Sequence, residues 1–323
     1  MKAGLIGSSV VAAAGFCCYA ACAQTYPAKS VRLIVGGAPA AGGDLIMRPI
    51  AQRLSESTGQ QFIIDNRPGA GSLLAGQIAA AAPADGYTIL QGSASGFSIA
   101  PFLAKKRPYD PVQDFTPITM VARAPLLVAV HPALPVRSVK DLVALAKAKP
   151  GALLYGSNGT ASFSHLSTEL FCRTAAVSMT HVPYKGGSPA AMDTVAGNVQ
   201  LVITSIPTLL AQVKSGRLRA LAVTSSKRSS TVPEIPTVAE SGFPGFESVQ
   251  WYGMFAPKGT PRAIVERLHA EIHSAVDTPR FKASLAMEGA EAAVDGPDAL
   301  ADFHRADIAR WAKVIRELNI ALE

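Results

Sequence analysis

The fold is predicted most directly by residues 31–44, which read VRLIVGGAPAAGGD. The segment Val31–Val35, apolar except for Arg32, is typical of a buried strand, and the loop 36–43 that follows it consists of glycine, alanine and one proline. Asp44 is a good N-cap residue, so we expect a helix that begins near it and stops at Gly59. A strand, a loop of small residues and a helix N-terminus together present free backbone N–H groups to an anion. A purely structural turn is the alternative.

Short strands and helices alternate outward from this stretch. Two more strands are predicted at 61–65 and 87–91, and the order βαβαβ indicates a parallel sheet wrapped by helices. The alternation restarts at a strand over 125–130 and continues through strands at 153–156 and 219–224. Open parallel sheets bind ligands at the carboxyl ends of their strands. We therefore expect two α/β units that face each other across a ligand cleft.

The second unit also has a polar loop between an early strand and a helix. The loop runs from Ser157 to Ser164, and the helix is predicted to begin at His165. Hydroxyls and backbone amides in such a loop are donors for an anionic ligand. Simple capping of the helix by Ser162 or Ser164 is the alternative that the local chemistry leaves open.

The glycine-rich loops do not match nucleotide-binding motifs. Gly37 and Gly42 have the spacing of a Walker loop, but Gly43 stands where the lysine is required. The run Gly69–Gly71 does not continue into a dinucleotide-binding loop, because Leu74 stands in place of the third glycine. We therefore predict that the protein uses no nucleotide cofactor.

Candidate catalytic groups form no recognisable order of nucleophile, base and orienting acid. Residues 92–96 resemble a nucleophile elbow, but the central residue is Ala94, so the G-x-S-x-G motif is not met. A secreted hydrolase that uses Ser93 or Ser157 with His165 is the alternative to a binding protein. We expect binding without catalysis.

Charge and metal-ligand patterns disfavour two further classes. The formal net charge of +7 favours an anionic ligand. Lysine and arginine are scattered rather than clustered with aromatic residues, so we expect no nucleic-acid binding. His269 and His273 lie four residues apart on a predicted helix without an evident third ligand, so we expect a solvated helix face and no metal site.

The N-terminus predicts export. An apolar run of small residues precedes Ala21-Cys22-Ala23, which fits the small-x-small cleavage pattern, so we predict a signal peptide at residues 1–23 and a periplasmic product. A membrane anchor and lipid attachment at Cys22 are the less favoured alternatives. Cleavage would leave Cys172 alone, without an intramolecular disulfide, and its helical spacing predicts a buried side chain.

Several motifs occur in an order that matches one family of receptors. They are residues 65–71 (DNRPGAG), 85–88 (DGYT), 108–111 (PYDP), 181–186 (HVPYKG), 218–224 (LRALAVT) and 256–261 (APKGTP). On these motifs the sequence resembles the Bug-type receptors, the solute-binding components of tripartite tricarboxylate transporters. The similarity runs from Tyr26 nearly to the C-terminus.

The resemblance implies an α/β type II periplasmic-binding-protein fold, with two lobes and a ligand cleft between them. Residues 24–124 and 249–323 would form lobe 1, and residues 125–248 lobe 2. The implied function is a non-enzymatic receptor that captures a small organic carboxylate for the membrane subunits of the transporter, without a cofactor, and we expect a monomer. The ligand-binding residues implied are Pro39, Ala40, Ala41, Gly42, Gly43, Ser93, Ser157, Asn158, Gly159, Thr160, His165 and Ser205.

The first loop departs from the family pattern. Ala40 and Ala41 stand in place of two glycines, and Gly43 stands where serine or threonine is frequent. We therefore expect the position of the family site to be shared, but not its side-chain contacts in this loop.

Overall fold

The strand, loop and helix at the start of the chain form as the sequence predicts. Strand β1 comprises Val31–Val35, and four of its five side chains are buried, as expected of a central strand. Helix α1, Gly42–Thr58, begins slightly before the predicted N-cap residue Asp44. It ends at Gly59, whose φ of 70° is left-handed and whose N–H donates to the carbonyl of Ser55.

The computed structural model describes residues 26–39 and 41–318. The further strands are β2 Phe62–Asn66, β3 Thr88–Ser93, β4 Phe115–Val130, β5 Leu154–Ser157, β6 Thr180–Pro183, β7 Leu201–Ser205, β8 Arg219–Val223, β9 Val249–Pro257 and β10 Glu291–Ala292. The further helices are α2 Leu73–Ala80, α3 Ala100–Leu103, α4 Val139–Ala148, α5 Phe163–Ala175, α6 Gly187–Ala196, α7 Ile206–Lys214, α8 Arg262–Val276, α9 Pro279–Met287 and α10 Pro297–Leu318. A 3₁₀ turn at Ala70–Ser72 precedes α2, and a π-helix at Ala94–Ile99 precedes α3.

The strands pair in the arrangement that the βαβαβ order predicted. β1 lies between β2 and β3 and is parallel to both, and in the second unit β5 is parallel to β6 and β7. Among the described residues the strand order is β2-β1-β3-β9-β4-β7-β5-β6, with β8 and β10 also paired to β4. β1, β5 and β7 are each followed in sequence by a helix, α1, α5 and α7 respectively. The carboxyl ends of these strands therefore lead to helix N-termini.

The long strand β4 and the strand β9 join the two units. The part Phe115–Pro125 of β4 is antiparallel to β9, and the part Leu126–Val130 is antiparallel to β7 and β8. We call β1, β2, β3, β9, β10 and the Phe115–Pro125 part of β4 the first sheet portion. We call β5, β6, β7, β8 and the Leu126–Val130 part of β4 the second sheet portion.

β4 is longer than the sequence predicted, since the predicted strand covered only residues 125–130. The strand contains Pro117 and Pro125, which cannot donate to a neighbouring strand. Its register against β9 also shifts between Pro117 and Thr119 and again between Met120 and Ala122. These bulges break the two-residue alternation on which strand prediction depends.

Apolar residues pack on both faces of the sheet. On one face, Trp251 of β9 is fully buried, and its Nε1–H donates to Oδ2 of Asp307 on α10 at 2.7 Å.

Cys172 on α5 is 5% exposed, and burial raises the pKa of its thiol to about 12. The prediction of a buried, apolar cysteine is confirmed.

The predicted signal peptide, residues 1–23, lies outside the described residues, and so does the candidate lipid-attachment residue Cys22. Within residues 26–39 and 41–318, no helix combines the length and the apolar character needed to cross a bilayer.

Candidate functional site

A cavity of about 690 Å³ lies between the two sheet portions. Gly42 in the first turn of α1, Phe163 in the first turn of α5 and Pro207 in the first turn of α7 all line it. A helix N-terminus carries partial positive charge and backbone N–H groups without intrahelical acceptors. The cavity is therefore bordered by groups that attract an anion.

The loop after β5 supplies hydrogen-bond donors on one wall of the cavity. Asn158 and Thr160 are exposed and line it. The backbone amides of Thr160, Phe163 and Ser164 donate to no acceptor among the described residues, and the Thr160 hydroxyl has no partner there either. Unpaired amides and a free hydroxyl at the start of a helix suit a carboxylate.

Ser162 and Ser164 have defined structural roles beside this wall. The Ser162 side chain accepts from the N–H of His165 at 3.2 Å and caps α5. The Ser164 hydroxyl donates to the Ile203 carbonyl at 2.5 Å. Helix capping, the alternative reading of this loop, therefore applies to Ser162. It occurs alongside the free donors and does not replace them.

Ser157 and Gly159 do not line the cavity, but they hold the loop after β5 in its conformation. Ser157 is fully buried, and its hydroxyl lies 2.6 Å from Nε2 of His181 and accepts from the Gly159 N–H at 3.1 Å. Gly159 has a φ of 126°, a conformation that a side chain would strain, and added bulk would meet the Tyr184 carbonyl. The two residues fix the path of the loop.

His165 holds the same loop through a hydrogen bond to its backbone. Its Nδ1 accepts from the Ala161 N–H at 3.1 Å, and Ala161 has a left-handed φ of 60°. The ring stacks on His181 with 3.8 Å between ring centroids. Burial, and then the neighbouring His181, lower the pKa of His165 to about 4. The ring is therefore neutral at pH 7, as an acceptor Nδ1 requires.

We expect the buried neutral ring of His165 to make stability depend on pH. Its pKa is about 4 in the folded chain against an ordinary value of 6.5, so between these limits the unfolded chain binds a proton that the folded chain excludes. The free energy of unfolding then falls as the pH is lowered through this window. One histidine lowers it by at most about 1.4 kcal/mol per pH unit, and a ring that keeps some solvent contact lowers it by less.

The matched variant is His165→Asn, which keeps an acceptor for the Ala161 N–H but does not titrate in this range. Urea denaturation at pH 7 and pH 5 should show a smaller loss of stability in this variant than in the wild type. Equal losses in the two proteins would contradict the assignment of a buried, neutral His165.

The α7 N-terminus forms a further part of the wall. Ser205, Pro207 and Thr208 line the cavity, and the hydroxyls of Ser205 and Thr208 are 2.6 Å apart. Thr204, one residue earlier, donates to Oδ1 of Asn158 at 2.9 Å. This bond orients the Asn158 amide, so the ends of β5 and β7 are coupled at the cavity.

The loop after β1 contributes mainly through Gly42. Pro39, Ala41 and Gly43 do not line the cavity, and Ala40 lies outside the described residues. A side-chain carbon on Gly43 would come within 2.9 Å of Oε1 of Gln91. A larger residue at this position would therefore require the Gln91 side chain to shift.

Ser93 lies at the end of β3, but Ser95 lines the cavity in its place. The Ser93 hydroxyl accepts from the Gly96 N–H at 3.3 Å and caps the π-helix. Ser95 accepts from the Gln250 side-chain amide at 3.3 Å. The π-helix directs the second serine of this segment toward the cavity.

The cavity residues that sequence reasoning missed include Gln250, Tyr252 and Glu288. Gln250 and Tyr252 alternate on β9 with the buried Val249 and Trp251. This two-residue alternation is a signal that could have placed them on one face. Glu288 follows α9 and has no such local signal.

Charged side chains are scarce around the cavity. Among the described residues that line it there is no lysine or arginine, and Glu288 carries the only carboxylate. Burial, and then the charge of Glu288, raise the pKa of Tyr252 to about 12, so its hydroxyl stays protonated. Arg48 is paired with Asp44 at 2.7 Å, outside the cavity lining. Donors to an anion are therefore neutral groups.

No group of three or more histidine, cysteine, aspartate or glutamate side chains within the described ranges is arranged to hold a metal ion. His269 and His273 lie on α8 with their ring centroids 6.2 Å apart.

An α/β sheet in two portions with a ligand-sized cavity between them defines the chain as a periplasmic binding protein in its fold, as predicted. The chain belongs to the tripartite tricarboxylate transporter family receptors, whose sequence profile matches residues 46–320. The resemblance to Bug-type receptors is thereby confirmed.

Relatives and solved structures agree with this assignment. Protein BugT of Bordetella pertussis is 37% identical over 306 residues, which cover 93% of each chain. An R. palustris protein solved with adipate is 38% identical, with a TM-score of 0.76 over 92% of this chain and 99% of that one. MatC from Rhodopseudomonas palustris, solved with bound malate, is 30% identical, with a TM-score of 0.72 over 90% of this chain and 100% of its own.

Proposed function

We propose that this chain is a periplasmic receptor that binds a small organic carboxylate and delivers it to the membrane subunits of a tripartite tricarboxylate-type transporter. The observation that carries the proposal is the set of unpaired amides of Thr160, Phe163 and Ser164 at the start of α5, on the wall of the cavity. The family assignment and the relatives solved with adipate and malate support the same ligand class. A net charge of +7 favours encounter with an anion.

In this proposal the predicted site residues divide into two groups. Gly42, Asn158, Thr160 and Ser205 line the cavity and contact the ligand. Other predicted residues hold these groups in position through the contacts described above, and they are Ser93, Ser157, Gly159 and His165. A carboxylate accepts hydrogen bonds from amides and hydroxyls directly or through water, which offsets its lost hydration.

We also propose the lobe boundaries and the export route that the resemblance implies. Lobe 1 comprises residues 24–124 and 249–323, and lobe 2 comprises residues 125–248. The change of partner along β4, between Pro125 and Leu126, supports these limits. A signal peptide at residues 1–23 directs export, and the mature chain acts as a monomer.

The alternative, a hydrolase, has one observation in its favour, the 2.6 Å contact between Ser157 Oγ and His181 Nε2. Ser157 is fully buried and does not reach the cavity, so a substrate cannot approach its hydroxyl. His181 has no carboxylate partner among the described residues to orient it as a general base. Binding without turnover therefore fits the geometry better.

The proposal predicts saturable binding of an unchanged ligand. A thermal-shift screen of mono-, di- and tricarboxylates, aromatic acids included, should raise the melting temperature for at least one member, because a ligand that binds only the folded state stabilises it. Calorimetry of that ligand should give one site per chain, and NMR of the recovered ligand should show no product. Conversion of the ligand into a product would support the hydrolase function. If no carboxylate raised the melting temperature, the receptor function would be contradicted.

A further inference from the structure

Glu288 lines the cavity, and the packing of the next residue, Gly289, holds it there. It directly follows α9, and the turn continues through Gly289, which has a left-handed φ of 63°. A side-chain carbon on Gly289 would come within 2.7 Å of Cδ of Pro207, at the start of α7. The turn from the first sheet portion is therefore packed against a helix of the second, which fixes Glu288 at the boundary of the cavity.

The Glu288 carboxylate has no balancing cation. It is half-buried and forms no ion pair or side-chain hydrogen bond with any described residue. No lysine or arginine occurs among the described residues that line the cavity. A carboxylate at the cavity wall that has no cation beside it can form an ion pair with a ligand that supplies one.

The cavity is thus lined by groups of two opposite preferences. The α5 N-terminus and Thr160 offer donors to a carboxylate, as the proposed function requires. Glu288 would instead repel a second carboxylate and attract an ammonium group or another donor. Apolar side chains, including Ile99, Leu103 and Leu126, also line the cavity and suit a methylene chain.

We propose that the preferred ligands are monocarboxylates whose far end carries an ammonium group that pairs with Glu288, rather than dicarboxylates. This inference rests on the proposed function and assigns Glu288 the role of a specificity-determining residue. A charge-assisted hydrogen bond of this kind corresponds to roughly tenfold or more in affinity.

The test uses pairs of ligands matched in length. They are succinate with 4-aminobutanoate, glutarate with 5-aminopentanoate, and adipate with 6-aminohexanoate, each titrated calorimetrically into the full mature chain at pH 7. In the pair whose length fits the cavity, the amino acid should bind at least about tenfold more tightly than the dicarboxylate. Glu288→Gln should remove or reverse this preference by weakening the amino acid.

Glu234→Gln is the matched control, because it makes the same charge change at an exposed carboxylate outside the cavity lining. It should leave both affinities unchanged. Dicarboxylates that bind as tightly as their amino-acid partners, or a preference that survives Glu288→Gln, would overturn this inference while the carboxylate receptor stands. Failure of all six ligands to bind would count against both.

Discussion

Replacing Trp251 with alanine should lower the free energy of unfolding by about 3–5 kcal/mol, the usual loss when a buried tryptophan is truncated. Trp251 is fully buried on β9, which pairs with β3 and with β4. Its ring packs edge-on against Phe303 and His304 of α10. The variant therefore opens a cavity where the central strands meet the last helix.

Truncation also removes a partner from a buried carboxyl group. Burial raises the pKa of Asp307, whereas the hydrogen bond from Trp251 Nε1 at 2.7 Å lowers it. Trp251→Phe loses this bond but keeps much of the aromatic packing, so it should cost less than Trp251→Ala, about 1–3 kcal/mol. Urea denaturation followed by circular dichroism measures both variants. A loss below about 1 kcal/mol for Trp251→Ala would contradict a central role in the core.

Thr160→Ala should weaken binding of the best carboxylate about tenfold to a hundredfold, because a lost donor to a charged partner corresponds to about 1.5–3 kcal/mol. Thr160 is exposed, and its hydroxyl has no partner among the described residues. The melting temperature of the ligand-free protein should therefore remain nearly unchanged. Calorimetric titration and a thermal melt of the same preparation separate the two effects.

Thr174→Ala is the matched control for this variant. Thr174 is also exposed but lies in the last turn of α5, where its hydroxyl donates to the Leu170 carbonyl. Its replacement should leave the affinity as it is. If Thr160→Ala bound the ligand as tightly as the wild type, the loop would serve only to begin its helix.

The parts of this site that could be predicted follow local patterns. The strand, loop and helix beginning at Val31, and the polar loop after Ser157, both follow from short-range periodicity and from capping and glycine preferences. These patterns placed Gly42 and Thr160 in candidate loops, and the resemblance to the Bug-type receptors added Ser205. All three line one cavity in the structure.

The parts that could not be predicted depend on contacts between distant segments. Glu288 lines the cavity beside Gly289, which packs against Pro207 of a distant segment, and no local pattern records that contact. Likewise, the resemblance implied His165 as a ligand-binding residue, and in the structure its ring stacks on His181 and its Nδ1 accepts from the loop backbone at Ala161. Such positions are set by tertiary packing, for which one sequence contains no periodic signal.

Calorimetric titration of the tightest-binding carboxylate at two salt concentrations tests the central claim most directly. The claim is that backbone amides, hydroxyls and helix N-termini hold the carboxylate, since no lysine or arginine lines the cavity within the described residues. Such short-range, partly buried contacts are screened little by dissolved ions, whereas exposed cations are screened strongly. Between roughly 0.05 and 0.5 M salt the Debye length falls from ~14 to ~4 Å, and we predict that the dissociation constant changes less than about fivefold. A loss of affinity approaching about a hundredfold would contradict the account, because it would require an exposed lysine or arginine in contact with the ligand.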